Sequence, residues 1–178
     1  YGNALQCAQK ALEICEKVLG KEHPDTAMIY NNLALVYRHQ EDYPAALEMY
    51  QKALTICEKV LGKEHPNTAT TYNNIAVVYS KQGLFNEALK YYEKALYVRE
   101  KVLGKEHPET GATYNNIVVV YSGLGDYTKA LMYSEKAVEI FENVFGKNFP
   151  ATADAYNTIA VVYGKLKEYT KAIEYSKK

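Results

Sequence analysis

The chain has 178 residues, which suits one domain, and 48% of them are hydrophobic, which is ample for a core. Its 21 lysines and arginines balance its 21 aspartates and glutamates, so the formal net charge is zero. Because phosphate binding needs clustered cations, this balance argues against a nucleic-acid partner. No apolar stretch reaches the ~18 residues of a membrane span, and no signal-peptide pattern opens the chain, so we expect no membrane association. Three cysteines without a CxxC pair favour a reducing, cytoplasmic location.

A block of sequence recurs at a fixed spacing of 42 residues, starting at Lys21, Lys63, Lys105 and Lys147. The four copies begin KEHPDTAMIYNNLALVY, KEHPNTATTYNNIAVVY, KEHPETGATYNNIVVVY and KNFPATADAYNTIAVVY. A period of this size is typical of stacked supersecondary units, each of which buries its apolar face against its neighbours. We therefore predict that residues 1–178 form a single solenoid domain.

The elements follow in chain order from this period. Residues 1–20 hold a lone helix B, residues 21–62, 63–104 and 105–146 are full repeats, and residues 147–178 are a truncated one. Within a repeat, apolar residues at helical spacing predict helix A over about Asp25 to His39 and helix B over about Pro44 to Leu61, which Gly62 ends. Because the chain starts and stops inside a repeat, we expect the natural protein to continue beyond both ends.

These residues resemble the tetratricopeptide repeat, whose pattern is W-x₂-L-G-x₂-Y followed by A-x₃-F. Here the pattern is met by Tyr30-x₂-Leu33-Ala34-x₂-Tyr37 and by Ala46-x₃-Tyr50. The 42-residue unit is similar to the repeats of kinesin light chains. The resemblance implies an all-α, right-handed solenoid of antiparallel helix pairs that binds proteins or peptides without catalysis, in a concave groove lined by helix A. Val118, Ser134 and Ser176 depart from the pattern and are expected to loosen the third and fourth repeats.

Helix geometry identifies the side chains of helix A that point away from its packed stripe and would face such a groove. The candidate peptide-binding residues are Asn31, Asn32, Leu35, Arg38, Asn73, Asn74, Val77, Lys81, Asn115, Asn116, Val119 and Asn157. Asparagine donates and accepts hydrogen bonds, so a ladder of it suits an extended peptide backbone. We expect a partner segment with apolar or acidic residues. The alternative is that one asparagine of each pair bonds between neighbouring helices and never meets a ligand.

Other patterns carry less weight. His23, His65 and His107 lie one repeat apart, so they are poorly placed to share a metal, and we expect no metal, no cofactor and no enzymatic activity. A basic clamp for a terminal carboxylate is also not expected, because its slots hold Asn, Val and Leu. The alternative function is structural: uncovered repeat ends would leave apolar surface through which copies of the chain assemble into a homo-oligomer.

Overall fold

The structure, a computed structural model, describes the backbone of residues 2–178 and the side chains of residues 5–178. Within these residues the chain forms nine α-helices: α1 (Gly2–Val18), α2 (Pro24–His39), α3 (Tyr43–Val60), α4 (Pro66–Lys81), α5 (Phe85–Val102), α6 (Pro108–Gly123), α7 (Tyr127–Phe145), α8 (Pro150–Lys165) and α9 (Tyr169–Ser176). The prediction of an all-α solenoid is confirmed, and α2 and α3 begin within one residue of the predicted positions. The predicted helix start at residue 1 lies outside the described residues.

Helices pack first within a repeat and then between repeats. The pairs α2–α3, α4–α5, α6–α7 and α8–α9 form hairpins, and each helix B also packs on the helix A that follows it. The A helices of successive repeats touch as well, with α4 against α6 and α6 against α8. The A helices therefore lie side by side and form one continuous face.

Repeated side chains fix the starts of the A helices. His23, His65 and His107 each precede a helix-starting proline, and their Nδ1 atoms accept the backbone N–H two residues on, at 3.2, 3.1 and 3.2 Å. A threonine in the first turn, Thr68 for example, donates to the carbonyl of the glycine that ended the previous helix, Gly62, at 2.8 Å. The recurring histidines are therefore helix caps, which satisfy donors that the helix cannot.

The turn between helices A and B differs among the repeats. Gly83 and Gly125 have φ angles of +75° and +77°, in the left-handed region. Glu41 and Lys167 fill the same slot in the first and last repeats with φ angles of +61° and +63°. A side chain in this region costs about 1–2 kcal/mol, so these two turns carry strain that the glycine turns lack.

Small side chains allow the two helices of a repeat to approach. Ala34 and Ala46 are fully buried in the first repeat, and Ala76 and Ala88 match them in the second. In the third repeat Val118 takes the slot of Ala34 and Ala76, and Ser134 takes the slot of Tyr50 and Tyr92. Both remain buried, and the Ser134 hydroxyl donates to the Ala130 carbonyl at 2.8 Å. The substitutions are thus accommodated without exposure, and their expected cost in stability stays a prediction.

Each repeat is tied to the previous one by a tyrosine of helix A. The Tyr30 hydroxyl donates to Glu16 at 2.6 Å, and Tyr72, Tyr114 and Tyr156 contact Glu58, Glu100 and Glu142 in the same way. A lysine lies over each of these rings, as Lys52 of α3 does over Tyr30 at 5.8 Å; the lysine over Tyr156 is Lys178, which follows the end of α9. Burial, and then the bond to Glu16, raises the pKa of Tyr30 to about 12, so the folded state favours the neutral phenol.

Candidate functional site

The candidate site is the face formed side by side by α2, α4, α6 and α8, which we call the groove. Helix pairing turns the opposite stripe of each of these helices toward its own helix B, where Leu33, Ile75, Ile117 and Ile159 are buried. The side chains that remain on the groove face are those whose helical angle opposes that stripe. By these helical angles the twelve candidate residues are expected to lie along this face.

A cleft of about 230 Å³ opens between α2 and α4, and we call it the apolar cleft. Its lining consists of Pro24, Met28, Asn31, Asn32, Leu35, Cys57, Asn67, Thr70 and Asn74. Met28 is 56% exposed and Leu35 is 37% exposed, although both are apolar, and we call the asparagines and the threonine of the lining the rim. Four candidate residues of the sequence analysis thus meet in one cavity that offers both apolar contact and hydrogen bonds.

A second cleft of about 360 Å³ lies at the C-terminal ends of the same two helices, and we call it the basic cleft. It is lined by Arg38, His39, Glu41, Tyr43, Val77 and Lys81. Three candidate residues, Arg38, Val77 and Lys81, come together here. Two fixed cations against one carboxylate give this end of the groove a preference for anionic groups.

Some of the asparagines form hydrogen bonds within the fold, and others are exposed or half-buried in the groove. The Asn31 amide donates to Thr71 at 3.0 Å and joins α2 to α4, while the Asn116 amide donates to Asn73 at 3.3 Å and joins α6 to α4. The alternative that the sequence left open, bonding between neighbouring helices, therefore applies to these three residues. Asn32 is exposed on the rim of the apolar cleft, and Asn74 is half-buried there.

Three side-chain oxygens are buried without a partner among the described residues: the Tyr50 hydroxyl in the core and, on the A helices, Oδ1 of Asn31 and Oδ1 of Asn115. Each such atom costs about 1–3 kcal/mol, because it gives up water and gains no donor. Although the Asn31 amide nitrogen joins α2 to α4, neither Oδ1 is bonded among the described residues, so each of these two oxygens carries a cost in stability. Such a cost is typical of residues that serve binding rather than folding.

The later repeats continue the face without joining the two clefts. Val119 on α6 and Val161 on α8 are exposed, and Asn157 is exposed beside Val161. Asn115 and Asn116 are half-buried on α6. The structure thus places Asn115, Asn116, Val119 and Asn157 along the same groove but does not gather them with the candidates on α2 and α4.

Comparison with known families supports this architecture. The sequence model of the tetratricopeptide repeat matches residues 1–59, 25–96, 69–141 and 110–178, which together span the chain. The chain belongs to the tetratricopeptide repeat family. Among curated protein sequences none matches it.

Solved structures similar to this tetratricopeptide repeat protein include BtubC (BKLC) from P. vanneervenii, at 26% identity and a TM-score of 0.84 over 96% of this chain and 68% of that one. A putative kinesin light chain from Podosopora anserina with nearly identical TPR-like repeats has 23% identity and a TM-score of 0.80, over 99% and 83%. A Rap protein complexed with Competence and Sporulation Factor has 24% identity and a TM-score of 0.80, over 96% and 45%. The expected likeness to repeats of the kinesin light chain type is confirmed.

Sequence reasoning missed functional candidates that helix B contributes to the groove. Cys57 on α3 forms part of the apolar cleft, and burial raises the pKa of its thiol, which favours the neutral form. Arg99 on α5 fills the slot that Cys57 occupies one repeat earlier and is buried. Burial lowers the pKa of Arg99 and the nearby Glu109 opposes that shift. The sequence does contain a signal for Arg99, because the equivalent positions of the other repeats hold the uncharged residues Cys15, Cys57 and Phe141.

Other kinds of site find little support in this tetratricopeptide repeat protein. Across the described residues, no three or more His, Cys, Asp or Glu side chains come together as metal ligands. None of the helices that the structure describes has the length and apolar character needed to cross a membrane.

Proposed function

We propose that this tetratricopeptide repeat protein is a non-catalytic scaffold that holds an extended segment of a partner protein in the groove. The observation that carries the proposal is the apolar cleft, which exposed Met28 and Leu35 line together with asparagines. An exposed apolar surface with convergent polar groups is the usual form of a binding site. The Rap protein whose title names a complex with Competence and Sporulation Factor has the same fold and supports this reading.

Recognition begins with an apolar side chain of the partner in the apolar cleft. An apolar cavity of about 150 Å³ suffices for a benzene ring, so the cleft of about 230 Å³ accepts an aliphatic or aromatic side chain. Asn32 and Asn74 stand on the rim, where each amide group is able to donate to a peptide carbonyl and accept from a peptide N–H. These bonds select an extended backbone without selecting a side chain.

The basic cleft lies at the far end of the same two helices and favours an acidic residue of the partner. Arg38 and Lys81 supply the charge, and Val77 supplies apolar contact between them. The groove continues through exposed Val119 and Val161, which extends the contact to the later repeats. Zero net charge favours a protein over a nucleic acid as the partner, and the free thiols Cys7, Cys15 and Cys57 suit the cytoplasm.

The test uses a phage library of random dodecapeptides selected on the purified chain. The double variant Asn32→Ala with Asn74→Ala removes both rim amides, and Asn86→Ala on α5 is the matched control outside the groove. We expect the double variant to bind the selected peptides roughly 5- to 150-fold more weakly, as the loss of two hydrogen bonds implies. The control should bind as the parent does. Selection of no peptide, or equal binding by the double variant, would contradict the proposal.

A second candidate function is assembly of copies through the repeat ends. Ile14 on α1 is 62% exposed, whereas Ile56, its counterpart one repeat later, is 7% exposed. Ile56 packs with Ala27 and Tyr30 of α2, whereas no helix A packs over Ile14 among the described residues, so this stripe of α1 is an exposed apolar surface. Light scattering across a concentration series tests this function. A mass that rises with concentration, and that stays monomeric in Ile14→Glu, would favour it, while a strict monomer would exclude it.

A further inference from the structure

A buried cation lies next to a residue of the groove, one repeat beyond the apolar cleft. Arg99 belongs to α5 and is 5% exposed, in a slot where the other repeats carry cysteine or phenylalanine. Its guanidinium lies between two A helices. It contacts Thr113 and Glu109 of α6 on one side and Thr70 of α4 on the other. Thr70 also lines the apolar cleft, so Arg99 is adjacent to the surface on which a peptide would lie.

The hydrogen bonds of this guanidinium are incomplete. Nη1 donates to the Thr113 hydroxyl at 2.6 Å and to the Glu109 carbonyl at 3.1 Å. Nη2 lies 3.1 Å from Oε2 of Glu109 and 3.5 Å from the Thr70 hydroxyl, and Nε is buried with no partner among the described residues, so a ligand reaches it only if neighbouring side chains move. The Nε–Nη2 edge of an arginine is one that a carboxylate normally binds with two parallel bonds. Only half of that edge is engaged here.

Glu109 is the carboxylate that balances Arg99, and it is loosely held. Its side chain is 50% exposed, in contrast to the buried guanidinium. It lies in the first turn of α6, and its carboxylate is not the group that caps the helix, because His107 does so through the Glu109 N–H. The carboxylate is therefore free to turn into solvent without breaking the helix start.

We propose that Arg99 binds a carboxylate of the partner segment through its Nε–Nη2 edge, and that Glu109 occupies part of this site until the partner displaces it. This inference rests on the proposed function of the groove, and it assigns an acidic residue of the partner to the space between α4 and α6. The site is specific to this repeat, since Cys15, Cys57 and Phe141 carry no charge in the same slot. The exchange replaces an internal ion pair by an intermolecular one, so no unpaired charge is left buried.

The test repeats the dodecapeptide selection on the parent and on Arg99→Cys, which restores the residue of the preceding repeats. The parent should enrich an aspartate or glutamate at one position of the selected peptides, and Arg99→Cys should lose that enrichment. A peptide carrying the acid should bind Arg99→Cys about ten- to a hundredfold more weakly, while its amide analogue, with Asn or Gln there, should bind both proteins alike. An unchanged acidic preference on Arg99→Cys overturns the site.

Glu109→Gln is the second variant, and it keeps an intact Arg99. Removing the competing carboxylate should tighten binding of the acidic peptide several-fold and leave the amide analogue unaffected. The exposed Glu64→Gln, which breaks a surface ion pair with Lys101, is the matched control and should change neither. Equal affinities for the parent and Glu109→Gln overturn the displacement. Selection of no peptide by any of the proteins overturns the proposed function together with the site, whereas selection of peptides without an acidic position overturns the site alone.

Discussion

The buried side-chain oxygen of Asn115 leads to a specific prediction about the stability of the folded chain. Oδ1 of Asn115 is buried and has no partner within the part of the chain that the structure describes, so Asn115→Ala should remove a cost of about 1–3 kcal/mol. Alanine also has a helix propensity better than that of asparagine by about 0.5 kcal/mol. Lost contacts of the half-buried amide offset part of this, and we expect a net gain of about 1 kcal/mol in the free energy of unfolding. For a chain of this length the melting temperature should rise by about 2–4 °C.

Asn73 is the matched control, because it occupies the same slot one repeat earlier. There Oδ1 accepts from the Asn116 amide at 3.3 Å, so Asn73→Ala breaks a bond and should lower the free energy of unfolding by about 0.5–1 kcal/mol. Propensity and side-chain size are identical at the two positions, so the difference isolates the hydrogen bonding. Urea unfolding followed by circular dichroism measures both variants. Equal losses of stability would refute the reasoning, since they would mean that both amides support the fold.

Three further predictions concern the turns, the caps and the tyrosines. Glu41→Gly should raise the free energy of unfolding by about 0.5–1 kcal/mol, because glycine relieves the left-handed strain, and an unchanged midpoint in urea would contradict this. His65→Ala should lower the free energy of unfolding by about 0.5–2 kcal/mol through loss of the cap on α4, and hydrogen exchange should show the first turn of that helix opening. Tyr30→Phe tests the linkage between ionisation and folding. The pKa of Tyr30 is raised to about 12, against about 10 in the unfolded chain, so its contribution is present below pH 10 and is lost as pH rises toward 12. The stability gap between the parent and Tyr30→Phe should therefore shrink over that range, and a constant gap would show that this tyrosine is not linked to pH.

The fold followed from the sequence because packing demands recur with the repeat. Tyr30, Leu33 and Ala34 lie on one stripe of α2, and the same slots recur in α4 and α8, so the hairpins and their boundaries were predictable. Val118 broke the pattern of small residues and stayed buried nonetheless. Because four similar repeats share one packing pattern, a departure at a single position does not change the predicted fold.

The groove residues that helix A contributes were predictable from the sequence, whereas those that helix B contributes were not. Helical angles placed Asn32 and Leu35 on the open face, but the contribution of Cys57 depends on how α3 crosses the next helix A. The bond of Asn31 depends on Thr71 in the neighbouring repeat, a slot that holds Ile29 in its own. Arg99 was missed for a related reason, since the sequence assigns the groove to helix A and Arg99 lies on helix B. The surroundings of these residues depend on contacts between neighbouring repeats, and the sequence of one repeat does not show those contacts.

The most direct test of the account follows methyl signals by NMR as a selected dodecapeptide is added to the chain. Groove binding predicts that the largest shifts fall on the methyl groups of Leu35, Val77 and Val119, which lie on α2, α4 and α6. Val60 and Val102 are exposed on the B helices and should remain unchanged, which makes them internal controls. Large shifts confined to Val60 and Val102 would contradict the claim that the A-helix face binds the partner.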